Sequence, residues 1–148
     1  MKFNVIIKKE KYPSMDDKYR VVFKSVDRDI LKKQSFKDEL KELGLSLADV
    51  EIVKDIESAI KELDQQRNEE LKGFVIDDIF MNEDIIKTMA VAFNIAGDDE
   101  QIEWIDISNK TVTFSKADFG ALIKKGSQKV KEIYFKYRKL KDDLLKEA

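Results

Sequence analysis

Carboxylates are the only side chains in this chain dense enough to be weighed for chemistry. The 148 residues include no histidine and no cysteine, so proton transfer would fall to Asp, Glu, Lys or Tyr. No thiolate nucleophile, thiolate metal site or disulfide can form. Acidic residues gather at Asp16-Asp17, Asp77-Asp78 and Asp98-Asp99-Glu100. If Asp77 and Asp78 belong to a strand, they point to opposite faces, the wrong arrangement for two carboxylates sharing one proton. The third group lacks the Asp-x-Asp-x-Asp-Gly spacing of a calcium loop and reads as a solvated loop. A glycine-rich phosphate loop is absent from the sequence. The expectation is a non-enzymatic protein, with no catalytic residue, no metal ligand and no cofactor.

Cations are concentrated in one place. From Lys124 to Lys141 seven lysines and one arginine stand against one glutamate, +7 in all; with −2 for the whole chain, the rest carries −9. Tyr134, Phe135 and Tyr137 interleave with these charges, a mixture that could contact phosphates and stack on bases. An acidic pI near 5.4 and the helical spacing of the rings favour a packed helix flanked by lysine stems, so nucleic acid is not the expected partner.

The elements that must position these groups are mostly helical. One proline, five glycines and 39% charged residues favour long helices over a turn-rich sandwich. Phe119, Ile123, Gly126, Val130, Ile133, Tyr137, Leu140 and Leu144 recur at alternating steps of four and three, which places them on one seam of a long C-terminal helix. Gly126 on that seam permits close backbone approach but weakens a free-standing helix by about 1 kcal/mol relative to Ala. Val53, Ile56, Ile60 and Leu63 suggest a second helix between Ser46 and Gly73, and Ile85, Ile86, Met89, Ala90, Phe93 and Ala96 a third, capped by Asn82 and ended by Gly97. Ser35 with Asp38, Ser46 with Asp49 and Ser115 with Asp118 have capping-box spacing, while Gly44 and Gly73 stand where helix C-caps belong. Strand alternation appears in Phe3, Val5 and Ile7 and again in Tyr19, Val21 and Phe23, an N-terminal hairpin; Phe74 to Phe80 reads as a single strand. Ile102 and Trp104 are in phase with Val112 and Phe114 across Ser108-Asn109-Lys110, a second hairpin with Trp104 as a core anchor. The fold class is α+β: an N-terminal β-hairpin, central helices, a small second hairpin and a long C-terminal amphipathic helix.

The stretches GFVIDDIFMNEDIIKTMAVAFNIAG, IEWIDISNKTVTFSKADFGALI and KVKEIYFKYRKLKDDLL resemble the C-terminal domain of unknown function found in phage and prophage tail proteins, over roughly residues 67–146. Gly73-Phe74, Trp104, Asn109, Val112, Phe114 and Phe135-Lys136-Tyr137 occupy the places of that family's Gly-Phe pair, Trp-bearing hairpin and basic closing helix. The resemblance implies a structural or assembly role beside tail fibre and baseplate components, and no activity. Residues 67–148 would be the tail-type module. Residues 1–66, a hairpin plus helices, would be a separate part open to a partner of its own.

These readings converge on association. Val130, Ile133, Tyr137, Leu140 and Leu144 are the expected partner-binding residues, holding a helix of a tail or baseplate protein, of a second copy as a homo-oligomer, or of the same chain between Ser46 and Gly73. The alternative is a small acidic phage-encoded inhibitor that engages a host defence or metabolic protein through its carboxylate groups. No apolar run approaches the ~18 residues of a membrane span, and the opening MKFNVIIKKEKYP has too short an apolar stretch for a secretory signal. The expected locations are the host cytoplasm during synthesis and the virion tail, with no membrane partner.

Overall fold

A computed structural model describes the backbone of residues 1–147 and side chains through Lys146. It is α+β and divides into two compact units, Met1–Glu62 with the chain from Asp143 on, and Leu63–Asp142.

In the first unit β1 (Phe3–Ile7) lies between β2 (Val21–Val26) and β3 (Val50–Lys54), antiparallel to both. Alternation does the sorting: Val5 and Ile7 are buried, and Val5 stands opposite Ile52 and Ile7 opposite the buried Val50. A short helix α1 (Asp17–Arg20), capped by Asp16, separates the first two strands. Tyr19, expected in a strand, therefore sits in a helical turn and is 66% exposed. Helix α2 (Gln34–Glu42) adds Phe36 and Leu40 to this core, with the Phe36 ring edge-on to Phe23 at 5.1 Å. Its end satisfies the terminal carbonyls in the Schellman pattern: Gly44 N donates to Lys41 O, and Leu45 N donates to Leu40 O at 2.9 Å. Gly44, at φ +74°, supplies the left-handed turn this requires.

Two expected caps move. Ser35 lies inside α2, which begins after Lys33, and Asp38 instead accepts from the Gln34 side chain at 3.0 Å. Ser46 and Asp49 do form a capping box, with Ser46 N donating to Asp49 Oδ2 at 2.9 Å, but it caps only the 3-10 turn Leu47–Asp49. The helix expected from Ser46 therefore gives way to β3, whose Val50, Ile52 and Val53 favour a pleated strand. Helix α3 (Ile56–Leu71) starts later, where buried Asp55 accepts from Ser58 N at 3.2 Å. Ser25 Oγ donates to the same carboxylate and lies 2.9 Å from Ser58 Oγ. Ser25 is at φ +54° within an irregular stretch of the β1–β2 pairing, and its N–H is taken by Asn4 Oδ1 at 3.0 Å.

In the second unit the segment expected as one strand is a hairpin of β4 (Phe74–Ile76) and β5 (Ile79–Met81). Asp77 and Asp78 form its two-residue turn at φ +50° and +63°, the positive values of a type I′ turn, which Asp tolerates. Gly73 is not a left-handed helix cap; a Cβ there would lie 2.0 Å from Phe80 Cζ, so its role is to admit the ring. Helix α4 (Glu83–Ile95) is capped by Asn82, which accepts from Ile85 N at 2.9 Å, and it ends at Ala96, one residue before the expected Gly97. Strands β6 (Ile102–Ile105) and β7 (Thr111–Phe114) pair Ile102 with Phe114 and Trp104 with Val112, the expected register. Helix α5 (Lys116–Glu147) begins with Asp118 N donating to Ser115 Oγ at 3.1 Å. Ile79, Met81, Ile86, Met89, Ile102, Phe119 and Leu122 form the core. The Phe119 ring meets those of Trp104 and Phe114 at 5.6 and 5.7 Å.

Candidate interaction site on the C-terminal helix

Helix α5 carries all five residues expected to bind a partner, and the packing treats them differently. Val130 is half-buried against the core of the second unit. Ile133 and Tyr137 are only 4% and 5% exposed, so this chain already covers them. Leu140, one helical step beyond Tyr137, is 41% exposed, and Leu144 is half-buried. The seam is thus closed at its centre and uncovered at Leu140.

Side chains of α3 reach the same stretch of α5 within the Leu63–Asp142 unit. Glu70 Oε1 pairs with Lys136 Nζ at 2.7 Å, and Asp64 pairs with both Lys141 and Arg67, the latter at 3.4 Å. Arg67 also lies over the Tyr134 ring, 6.0 Å from its centroid. From α4, Glu83 accepts the Tyr134 hydroxyl proton at 2.6 Å. The electrostatics follow from these pairs. Lys136 holds the Glu70 carboxyl below the usual range, and Lys141 does the same for Asp64. Burial, reinforced by Glu70, pushes the Tyr137 phenol up, while the bond to Glu83 raises that of Tyr134.

Beside these pairs opens a cavity of about 320 Å³ lined by Arg67, Tyr134, Phe135, Arg138 and Lys141. Phe135 is 56% exposed, with Lys131 Nζ 5.4 Å from its ring centroid. Arg138 makes no hydrogen bond or ion pair among the described residues. The arrangement offers planar donors beside aromatic faces, a combination suited to recognition. The sequence marks the Lys124–Lys141 stretch, and the steps 134, 138 and 141 already put three of these residues on one helix face. Arg67 gives no such signal, because only the packing of α3 brings it there.

The carboxylate groups have structural occupations. Asp16 caps α1, Asp77 in its turn pairs with Lys125 at 2.8 Å, and Glu100 Oε2 accepts from Gly97 N at 2.9 Å. Asp98 lies 3.7 Å from Lys116 Nζ. Among the described residues no three acidic side chains come together in a group that could hold a metal ion.

Residues 54–148 match a family described as a domain of unknown function, DUF4376. The chain belongs to the DUF4376 family. Comparison with curated proteins and with solved structures gave no match. Within the DUF4376 match fall α3, both small hairpins, α4, α5 and every residue lining the cationic, aromatic cavity. Strands β1 and β2 and helix α2 lie outside it. No helix among the described residues is long and apolar enough to cross a membrane.

Proposed function

We propose that this chain is a non-enzymatic structural adaptor or fibre assembly protein of a phage or prophage tail, acting through helix-mediated association by α5. The reading joins the resemblance to tail-protein C-terminal domains with one observation: the α5 seam, covered at Ile133 and Tyr137, is uncovered at Leu140. An apolar side chain left open next to a packed seam gains free energy when a second helix covers it. The proposed partners are tail or baseplate components or a second copy of the chain, met in the host cytoplasm during synthesis or in the virion tail. The inhibitor reading has less support, since Asp16, Asp77, Asp98 and Glu100 are engaged in caps and ion pairs within the chain.

Leu140→Asp tests the reading, because Leu140 is exposed whereas charging Ile133 would disrupt the fold itself. Light scattering over a wide concentration range, and sedimentation with particles from the host that carries the gene, read self-association and tail association respectively. At least one is expected for the native chain and lost in Leu140→Asp, with the far-UV circular dichroism unchanged. A chain of 17.3 kDa that stays monomeric and never sediments with particles would overturn the reading.

A further inference from the structure

We infer that the cavity lined by Arg67, Tyr134, Phe135, Arg138 and Lys141 is a carboxylate-binding pocket for an acidic amphipathic segment of a protein partner. This rests on the reading of α5 as an association surface and supplies the chemistry of what it binds. Glu70 is taken by Lys136, and Asp64 is shared by Lys141 and Arg67. The guanidinium of Arg138 is the cation of the lining left without a counter-charge among the described residues. Arg67 in the same lining keeps a buried Nε–H with no acceptor among the described residues. Asp64 Oδ1 and Glu70 Oε2 beside it are likewise buried without a hydrogen-bond partner among the described residues, so the group of the lining left for a ligand is the exposed guanidinium of Arg138. A carboxylate matches guanidinium geometry, accepting two parallel N–H bonds from one Arg.

The rest of the lining sets what must accompany that carboxylate. Tyr134 and Phe135 present ring surface beside Arg138, and a cavity of about 320 Å³ has room for a side chain or two. An apolar residue next to an acidic one, at helical spacing, fills both requirements. Polyphosphate fits poorly. Phosphate chains need a run of free cations, but within the lining Arg67 and Lys141 are both held by Asp64, which leaves Arg138 as a single free cation rather than a run.

The test uses the full chain and three fluorescent probes: a helical peptide of leucine and glutamate, its glutamine-for-glutamate counterpart, and oligo(dT). The glutamate peptide is expected to bind about tenfold or more tightly than either control, as loss of a charge-assisted hydrogen bond would give. Arg138→Glu should lose that advantage, Arg138→Lys should keep part of it, and Phe135→Ala should weaken both peptides. Arg138 and Phe135 are both exposed, so the fold is expected to stay intact in each variant, which circular dichroism verifies. Equal binding by Arg138→Glu and the native chain, tighter binding of oligo(dT), or no binding of the glutamate peptide would each overturn the pocket. If Leu140→Asp abolishes association while Arg138→Glu leaves peptide binding unchanged, the pocket fails and the α5 reading stands. Arg138-dependent peptide binding by a chain that associates with nothing else supports the pocket and removes the wider reading.

Discussion

Asp55 is a buried acid with several hydrogen bonds, held by Ser25 Oγ and by the main chain of Ser58 at the start of α3. Burial by itself would raise its pKa, but the hydrogen bonds from Ser25 and Ser58 outweigh it, and the carboxyl lies below the ordinary aspartate value. A group whose folded pKa is depressed stabilises the fold above its unfolded pKa, and that contribution is lost as pH falls through the folded value. Asp55→Ala is therefore expected to cost about 1 kcal/mol at neutral pH, the usual worth of an N-cap. The gap between variant and native chain should narrow on acidification below the ordinary aspartate range. Urea unfolding at a series of pH values measures it; a gap that does not change with pH would remove the charged carboxylate from the account. The same loss removes one of the bonds that hold Ser25 at φ +54°, leaving those to Asn4 and Ser58.

At the scale of elements, α5 depends on what lies under Gly126. In an isolated helix Gly126→Ala gains about 1 kcal/mol. Here the added Cβ would fall 2.4 Å from Met81 Cε and 3.1 Å from Ile86 Cδ1, both in buried side chains, and overpacking of that kind costs about 1–3 kcal/mol. The net expectation is a loss of about 1 kcal/mol, whereas Gly97→Ala, with nothing within 4 Å, should stay within about 0.5 kcal/mol of neutral. Thermal unfolding of the two variants side by side checks the contrast. The comparison also marks what the sequence conveys about elements. Spacing alone located α5, α4, the Trp104 hairpin and the Asn82 cap, because each has either a long 3.6-residue period or an alternation in phase across a turn. It failed where two patterns overlapped: Val53 fits the step to Ile56 and Ile60, yet Val50 and Ile52 alternate into β1, and pairing with that strand won. It failed again at Asp77-Asp78, where a turn without glycine hid a hairpin. Of the candidate site, the α5 half was legible as a basic and aromatic run. The α3 half was not, since no local signal tells Arg67 which helix it will meet.

The molecule as a whole has two cores, one around Val5, Phe36, Leu40 and Val50 and another around Ile79, Met81, Met89 and Phe119. Leu40 and Met89 are each fully buried in one of them. Leu40→Ala and Met89→Ala should each cost about 2–5 kcal/mol. Amide hydrogen exchange is expected to show the loss of protection in β1–β3 for the first and in β4–β7 for the second. Uniform loss across the chain in both variants would mean that the cores open as a single cooperative unit. Trp104 gives this question an optical handle. It is the chain's single tryptophan, and its ring rests on Phe119. Its emission therefore reports the environment of residues 63–142 and is silent about the three-stranded sheet. Ellipticity sums both. A fluorescence transition that runs ahead of, or behind, the ellipticity would time one core against the other without any label, and quenching by iodide would register when the Phe119 side of the indole first meets solvent.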